Sequence, residues 1–218
     1  MLGMLCPQER GRVRLERSHV AGLKVLCACV SRREQLGRAE KLLRRAGVKW
    51  MLPVRAEELC LSGLPAVDVL PLYRAMAERF VLAVLRRRSI PPEQATVVLR
   101  GEYPDGDLVA AARALCPRVR QVVIDTDRGS DLLQRQLLRQ FGAAVVPITE
   151  RSEMISVRFN GESRGEGLVL CDRVELDGLS VDVPQLDIPE TLLRSGVLCA
   201  LWQAGMIELS QFQISGAV

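Results

Sequence analysis

The sequence predicts an α/β chain built on a mostly parallel, buried sheet, and three observations carry that expectation. Between residues 95 and 148, three short Val- and Ile-rich runs are separated by two stretches of helical period with brief connections, the pattern of strands joined by crossover helices. Leu23 to Val30 is a continuous apolar run rather than an alternating one, as in a strand covered on both faces. Aromatic residues make up only 4% of the chain against 48% hydrophobic residues, so the expected core is Leu, Val, Ile and Ala packed between helices and sheet.

In chain order, Leu23 to Val30 (LKVLCACV) is the first clear strand, and the alternating residues 12–18 (RVRLERS) read as its partner or edge. Ser31 is the expected cap of a helix to about Arg45, with Leu36, Ala39, Leu42, Leu43 and Ala46 at helical spacing, closed by Gly47. Val48 to Val54 follows as a strand, making a β-α-β unit whose crossover should be right-handed. Residues 55–71 read as a short helix and a connection. A long helix is expected from Leu72 to about Arg88, stopped by Pro91 and Pro92. Then come a strand over 95–100, a loop over 101–106, and a helix from Asp107 to Leu115. A strand over 121–126, a helix over 130–141 stopped by Gly142, and a strand over 143–148 complete this stretch. After Glu150 the texture alternates apolar and polar residues between Gly-containing turns, which suggests antiparallel strands or a hairpin on the sheet edge. A helix from Pro189 to Ala204 and a strand near Phe212 to Ile214 close the chain. The expected organisation is one α/β unit over 1–218, with sub-regions 1–71 (β-α-β), 72–149 (the core) and 150–218 (a mixed β/α C-terminal extension).

Charge and cysteine usage narrow the function classes. The net charge is +4, and of 30 Lys and Arg only Lys24, Lys41 and Lys49 are lysine. Basic and acidic residues are interspersed, without the clustered stripe of a nucleic-acid binder, so no nucleic-acid partner is expected. Arg86, Arg87 and Arg88 end a helix, where cations complement the carbonyl-rich terminus. Seven cysteines with no C-x-x-C pair, several inside apolar runs, fit small buried hydrophobes and reduced thiols in a cytoplasmic protein. The N-terminal apolar run is too short for a signal peptide, and 18 apolar residues never run together, so no membrane partner is expected. His19 is the single histidine, and no G-x-S-x-G elbow accompanies it.

The loop after strand 95–100, RGEYPDGDL, stands where a dinucleotide-binding domain carries its glycine fingerprint. Gly101 and Gly106 are present, but G-x-G-x-x-G spacing is not. Glu102, Asp105 and Asp107 bring carboxylates to the place of a pyrophosphate, while Asp105 and Asp107 suit helix capping and the helix dipole. Asp125 ends the next strand at a distance at which an acidic residue can accept hydrogen bonds from a ribose. Gly101, Asp105, Gly106 and Asp125 are therefore the candidate cofactor-binding residues, at a pocket beyond the carboxyl ends of strands 95–100 and 121–126.

The run from about Glu78 to Pro147 resembles the nucleotide-binding half of a Rossmann-type domain of the shikimate dehydrogenase kind, in which a long helix leads through a short turn into the glycine-loop strand. The resemblance covers about a third of the chain, with a degenerate glycine loop. It implies a Rossmann-like, doubly wound fold and a nucleotide-like ligand, and the lysine–aspartate pair of that family has no counterpart placed here. Asp125-Thr126-Asp127-Arg128-Gly129-Ser130-Asp131 is similar to the calcium-binding aspartate cluster of nucleoside hydrolases, with Arg128 in place of a proline and Leu132 in place of a second aspartate. That likeness implies a divalent cation on Asp125, Asp127 and Asp131 through hard oxygen ligands; the competing reading of Ser130 or Asp131 is a helix cap. The expected function is a non-catalytic or weakly binding module for a nucleotide-like ligand, serving self-association or a partner. The alternatives are a metal-assisted enzyme on a nucleotide or phosphorylated metabolite, and an NAD(P)-dependent reductase. Neither NAD(P) nor a divalent cation is favoured as cofactor.

Overall fold

Mixed α/β architecture with parallel-rich sheets is what the computed structural model shows, over residues 1–55, 61–142, 154–162 and 167–216. The chain forms two units, Met1–Val69 with Val183–Phe212, and Leu70–Asp182 with the residues from Gln213 onward.

The first unit holds a four-stranded sheet in the order β2-β3-β1-β4, formed by β1 (Leu2–Pro7), β2 (Arg14–Val20), β3 (Leu23–Val30) and β4 (Trp50–Met51). β2 and β3 are an antiparallel hairpin turning at Ala21 and Gly22, both at positive φ, the geometry that matches strand twist in two-residue turns. β1 lies parallel to both β3 and β4. Helix α1 (Leu36–Arg45) buries Ala39 and Leu43 against Leu5, Val13, Ala28 and Val30. Residues Gly196 to Leu201 of a C-terminal helix, Arg194–Gln203, are buried without a break, as in a helix enclosed on all sides.

Five expectations change here. The sheet starts one strand earlier than the sequence predicts, because Leu2–Pro7 is a short apolar run whose Gly and Pro read as punctuation. Ser31 does not cap α1. A 3-10 turn over Arg33–Gln35 precedes the helix, and Gln35 Oε1 accepts from the Ser31 N–H at 3.0 Å. The strand expected over 48–54 is only Trp50–Met51, and the helix expected from Pro189 begins at Arg194. The thiols expected to be reduced include a bonded pair, Cys6–Cys27, with Cα atoms 6.1 Å apart. The parallel pairing of β1 with β3, which sets Cys6 level with Cys29, is what brings them together. Of the short helix and connection expected over 55–71, residues 56–60 lie outside the described residues, and 61–69 are irregular.

In the second unit the single helix expected over 72–88 is two, α2 (Leu70–Ala75) and α3 (Ala77–Arg87), broken at Met76. Pro71 stands in the first turn of α2, where its missing N–H is no loss. A 3-10 turn at Pro92–Gln94 then leads into β5 (Thr96–Gly101), α4 (Gly106–Leu115), β6 (Gln121–Thr126) and α5 (Ser130–Phe141), all close to the predicted spans. Gly142 ends α5 in the left-handed conformation. The strand predicted over 143–148 lies outside the described residues.

The stretch after Glu150 departs from expectation. β7 (Met154–Arg158) pairs parallel with β5, and β8 (Leu168–Leu170) pairs parallel with β7. β9 (Val174–Glu175), against β8, and the pair β10 (Leu179–Asp182) and β11 (Gln213–Gly216) are antiparallel, and Leu192 makes an isolated antiparallel bridge to Val54. Alternating polarity reports how a strand's two faces are covered, not which way its neighbour runs. The sheet order is β6-β5-β7-β8-β9. Val97, Val98 and Leu99 are consecutive and almost fully buried, as in a strand covered on both faces. α3 packs on β7, α5 on β6, and α4 on α2, α3 and α5. Among the described residues no helix is long and apolar enough to cross a membrane.

Candidate functional site

β5 lies between β6 and β7, so the loop that leaves it at Gly101 has a neighbour on each side. The three strand ends share one register row: Arg100 stands opposite Asp125 of β6 and opposite Arg158 of β7. All three strands run the same way, so these ends open onto one edge of the sheet. A cleft of about 340 Å³ lies there, lined by Arg100, Gly101, Glu102, Asp125, Asp127, Arg158, Gly161 and Glu162. It falls beyond the strand ends where the sequence expects a pocket, but it reaches across to β7 as well.

The glycine loop is closed by a residue from β7's end. Asn160 Oδ1 accepts from the Glu102 N–H at 2.6 Å and from the Tyr103 N–H at 3.4 Å. Its Nδ2 donates to Tyr103 O at 3.0 Å and to Asp105 Oδ2 at 2.9 Å. A Cβ on Gly101 would overlap Asn160 Oδ1, which is the close approach that requires glycine at this position. Asp105 caps α4, its Oδ1 accepting from the Leu108 N–H at 2.9 Å. Arg74 anchors the same corner. It donates from Nε to Leu170 O at 2.8 Å and from Nη2 to Phe159 O at 2.6 Å, while Nη1 lies 3.4 Å from Asp107 Oδ2 and 3.9 Å from Asp105 Oδ2. The backbone donors that would face a phosphate are thus engaged from within the chain.

Of the four candidate cofactor residues, Gly101 and Asp125 line the cleft. Asp105 is turned to capping and to Asn160, and Gly106 opens α4 with empty space where a Cβ would stand. Asp125 Oδ2 lies 3.1 Å from Arg100 Nε. That separation is an ion pair, yet the Arg100 Nε is buried and makes no hydrogen bond, so the carboxylate stands off the line of the N–H. Asp127 is at the cleft, while Asp131 sits in the first turn of α5, whose N-terminal flank is Gly129 rather than a side-chain cap. Among the described residues no three carboxylate, thiol or imidazole side chains come together as metal ligands, so Asp125, Asp127 and Asp131 do not form the set the calcium-site likeness implies. The turn carrying Asp127 has a structural role: the Arg128 N–H donates to Glu102 O at 3.1 Å and the Thr126 hydroxyl to Arg128 O at 3.0 Å.

No protein-family model matches the chain, and no curated protein matches it in sequence.

Asn160, Arg74, Arg100 and Arg158 escape the sequence reading. An arginine interrupting an apolar strand was a usable signal at Arg100 (VVLRG) and again at Arg158 (ISVRFNG). Their adjacency needs the β5–β7 register. The titration behaviour of the unit's thiols is ordinary for buried groups. Burial pushes Cys116 up, and burial together with the hydrogen bond to the Asp172 carboxylate (3.0 Å) pushes Cys171 up, so neither is an activated nucleophile.

Proposed function

We propose that residues 70–182 form a Rossmann-like, doubly wound module, related in plan to domains of the shikimate dehydrogenase kind, that holds a small ligand without performing chemistry on it. The observation that carries the reading is Asn160. Its carboxamide accepts from the Glu102 and Tyr103 N–H groups, the kind of donors a pyrophosphate uses in this architecture. A dinucleotide would have to expel Asn160 and then lie beside Glu102 and Asp105. Asp125, the candidate ribose acceptor, is held by Arg100. The strand order supports a different place for a ligand. In doubly wound sheets ligands bind at strand carboxyl ends where the order reverses, which in β6-β5-β7 is the gap between β5 and β7.

Thermal unfolding with NAD⁺, NADP⁺ and their reduced forms tests this. A ligand present at about a hundred times its Kd stabilises by about 2.7 kcal/mol, a rise of several degrees. The expected result is no rise with any dinucleotide, and none with calcium or magnesium. A rise with NAD(P) that disappears in Asp125→Ala would favour the reductase reading instead, and a rise with calcium or magnesium that disappears in Asp127→Asn the metal-assisted enzyme.

A further inference from the structure

We infer that the cleft at the ends of β5, β6 and β7 binds a small metabolite through one carboxylate or phosphate group, held between the guanidinium groups of Arg100 and Arg158; this rests on the ligand-binding reading above and names the ligand's class.

Register supplies the first reason. Arg100 and Arg158 are direct partners on adjacent parallel strands, whose backbones lie about 4.8 Å apart. Like charges directly opposite each other destabilise a sheet. The row offers one carboxylate, Asp125, for two guanidinium groups, and Asp125 lies on the far side of Arg100 from Arg158. Among the described residues no carboxylate pairs with Arg158, so the row carries an excess positive charge on its β7 side.

A second reason lies in the guanidinium itself. Arg100 Nε is closed off from solvent and lies 3.1 Å from Asp125 Oδ2. The Arg100 side chain as a whole is 31% exposed and lines the cleft, so its remaining N–H groups are the ones an incoming oxygen can meet. The guanidinium fork suits carboxylate and phosphate oxygens.

The cleft's size and rim define the ligand further. At about 340 Å³ it is at the small end of ligand pockets, enough for a metabolite and too little for a dinucleotide. Gly101 and Gly161 contribute no side chains to its lining. Glu102, Asp127 and Glu162 stand at its exposed rim, where they disfavour a polyanion and suit hydroxyl or ammonium donors on the ligand's other end. A single anionic group with donors opposite it is the chemistry that fits.

The test uses the full chain, with calorimetry and thermal unfolding against inorganic phosphate, glycine, adenosine monophosphate and uncharged adenosine, at matched ionic strength. Binding of at least one anionic probe is expected, weakened about tenfold to a hundredfold in Arg158→Gln and unchanged in Arg118→Gln, an exposed arginine paired with Glu78. Arg158 is the decisive position because it is only half-buried and its loss leaves Asp125–Arg100 intact; Arg158→Lys, which keeps charge without the fork, is expected to bind with intermediate affinity. Phosphate against glycine tells which anionic group is preferred. Anion binding equal in wild type and Arg158→Gln overturns the assignment. Adenosine binding as well as the monophosphate overturns it too, while leaving the ligand-binding reading standing. No binding by any probe overturns both.

Discussion

Two parallel strand pairs in this chain end in opposite ways. In the first unit, β1 and β3 finish at Pro7 opposite Val30, and neutral amides close the end. The Gln8 N–H donates to Val30 O at 2.9 Å, Gln8 Nε2 to Cys29 O at 3.4 Å, and Gln35 Nε2 to Gly11 O at 3.0 Å. In the second unit, β5 and β7 finish at Arg100 opposite Arg158, with an open cleft beyond. Amide side chains both donate and accept, so they can satisfy a strand end from within. A guanidinium only donates, so a pair of them needs acceptors from elsewhere. The comparison teaches where to look for a ligand in a chain without catalytic motifs: at the strand end where two guanidinium groups share one register row.

Four substitutions and a pH measurement can break or sharpen this contrast. The largest effect belongs to Asn160→Ala, which removes four hydrogen bonds from the loop after β5 and is expected to cost about 2–3 kcal/mol, read from denaturant midpoints. Gly101→Ala acts through the same side chain, since its Cβ displaces Asn160, so the double variant should cost little more than either single one. Additive losses would mean that Asn160 does not close the loop. Gly106→Ala, with open space around the new methyl, is the control and should be neutral or slightly stabilising. On the neutral side, Gln35→Ala loses its bonds to Ser31 N–H and Gly11 O, an expected cost of about 1 kcal/mol. Because amides carry no charge, that loss should not change with salt; a salt-dependent loss would undo the distinction drawn between the two ends.

The smallest expected effect is on pH dependence. Burial and the Asp172 carboxylate raise the Cys171 thiol, so the folded chain keeps this proton after the unfolded chain has released it. Its contribution to stability is complete below the ordinary thiol range and is lost as pH rises from there to the raised folded value. Unfolding midpoints across that range should fall with pH, and Cys171→Ser should flatten the slope. A midpoint that rises instead would contradict the buried placement of this side chain.

Much of the second unit is legible residue by residue. β5, α4, β6 and α5 emerge from unbroken Val and Ile runs, from Asp105 before a helical stretch and from Gly142 after one, all local signals. β1 is hidden because Gly3 and Pro7 read as punctuation, although Gly3 is needed for close packing against Met51 and Val48. The break at Met76 is equally silent, since nothing in LYRAMAERF disfavours a continuous helix.

Local composition by itself determined that the chain is α/β, that Leu23–Val30 is a buried strand, and that the loop from Gly101 to Asp107 lacks G-x-G-x-x-G spacing, because these depend on neighbours within a few residues. Tertiary structure alone decided that β7 lies beside β5 and parallel to it, that Asn160 fills the glycine loop, and that Arg158 stands against Arg100. Strand pairing joins residues some 58 positions apart through backbone hydrogen bonds that every residue type can make, so side-chain identity leaves the partner unnamed until the sheet has formed.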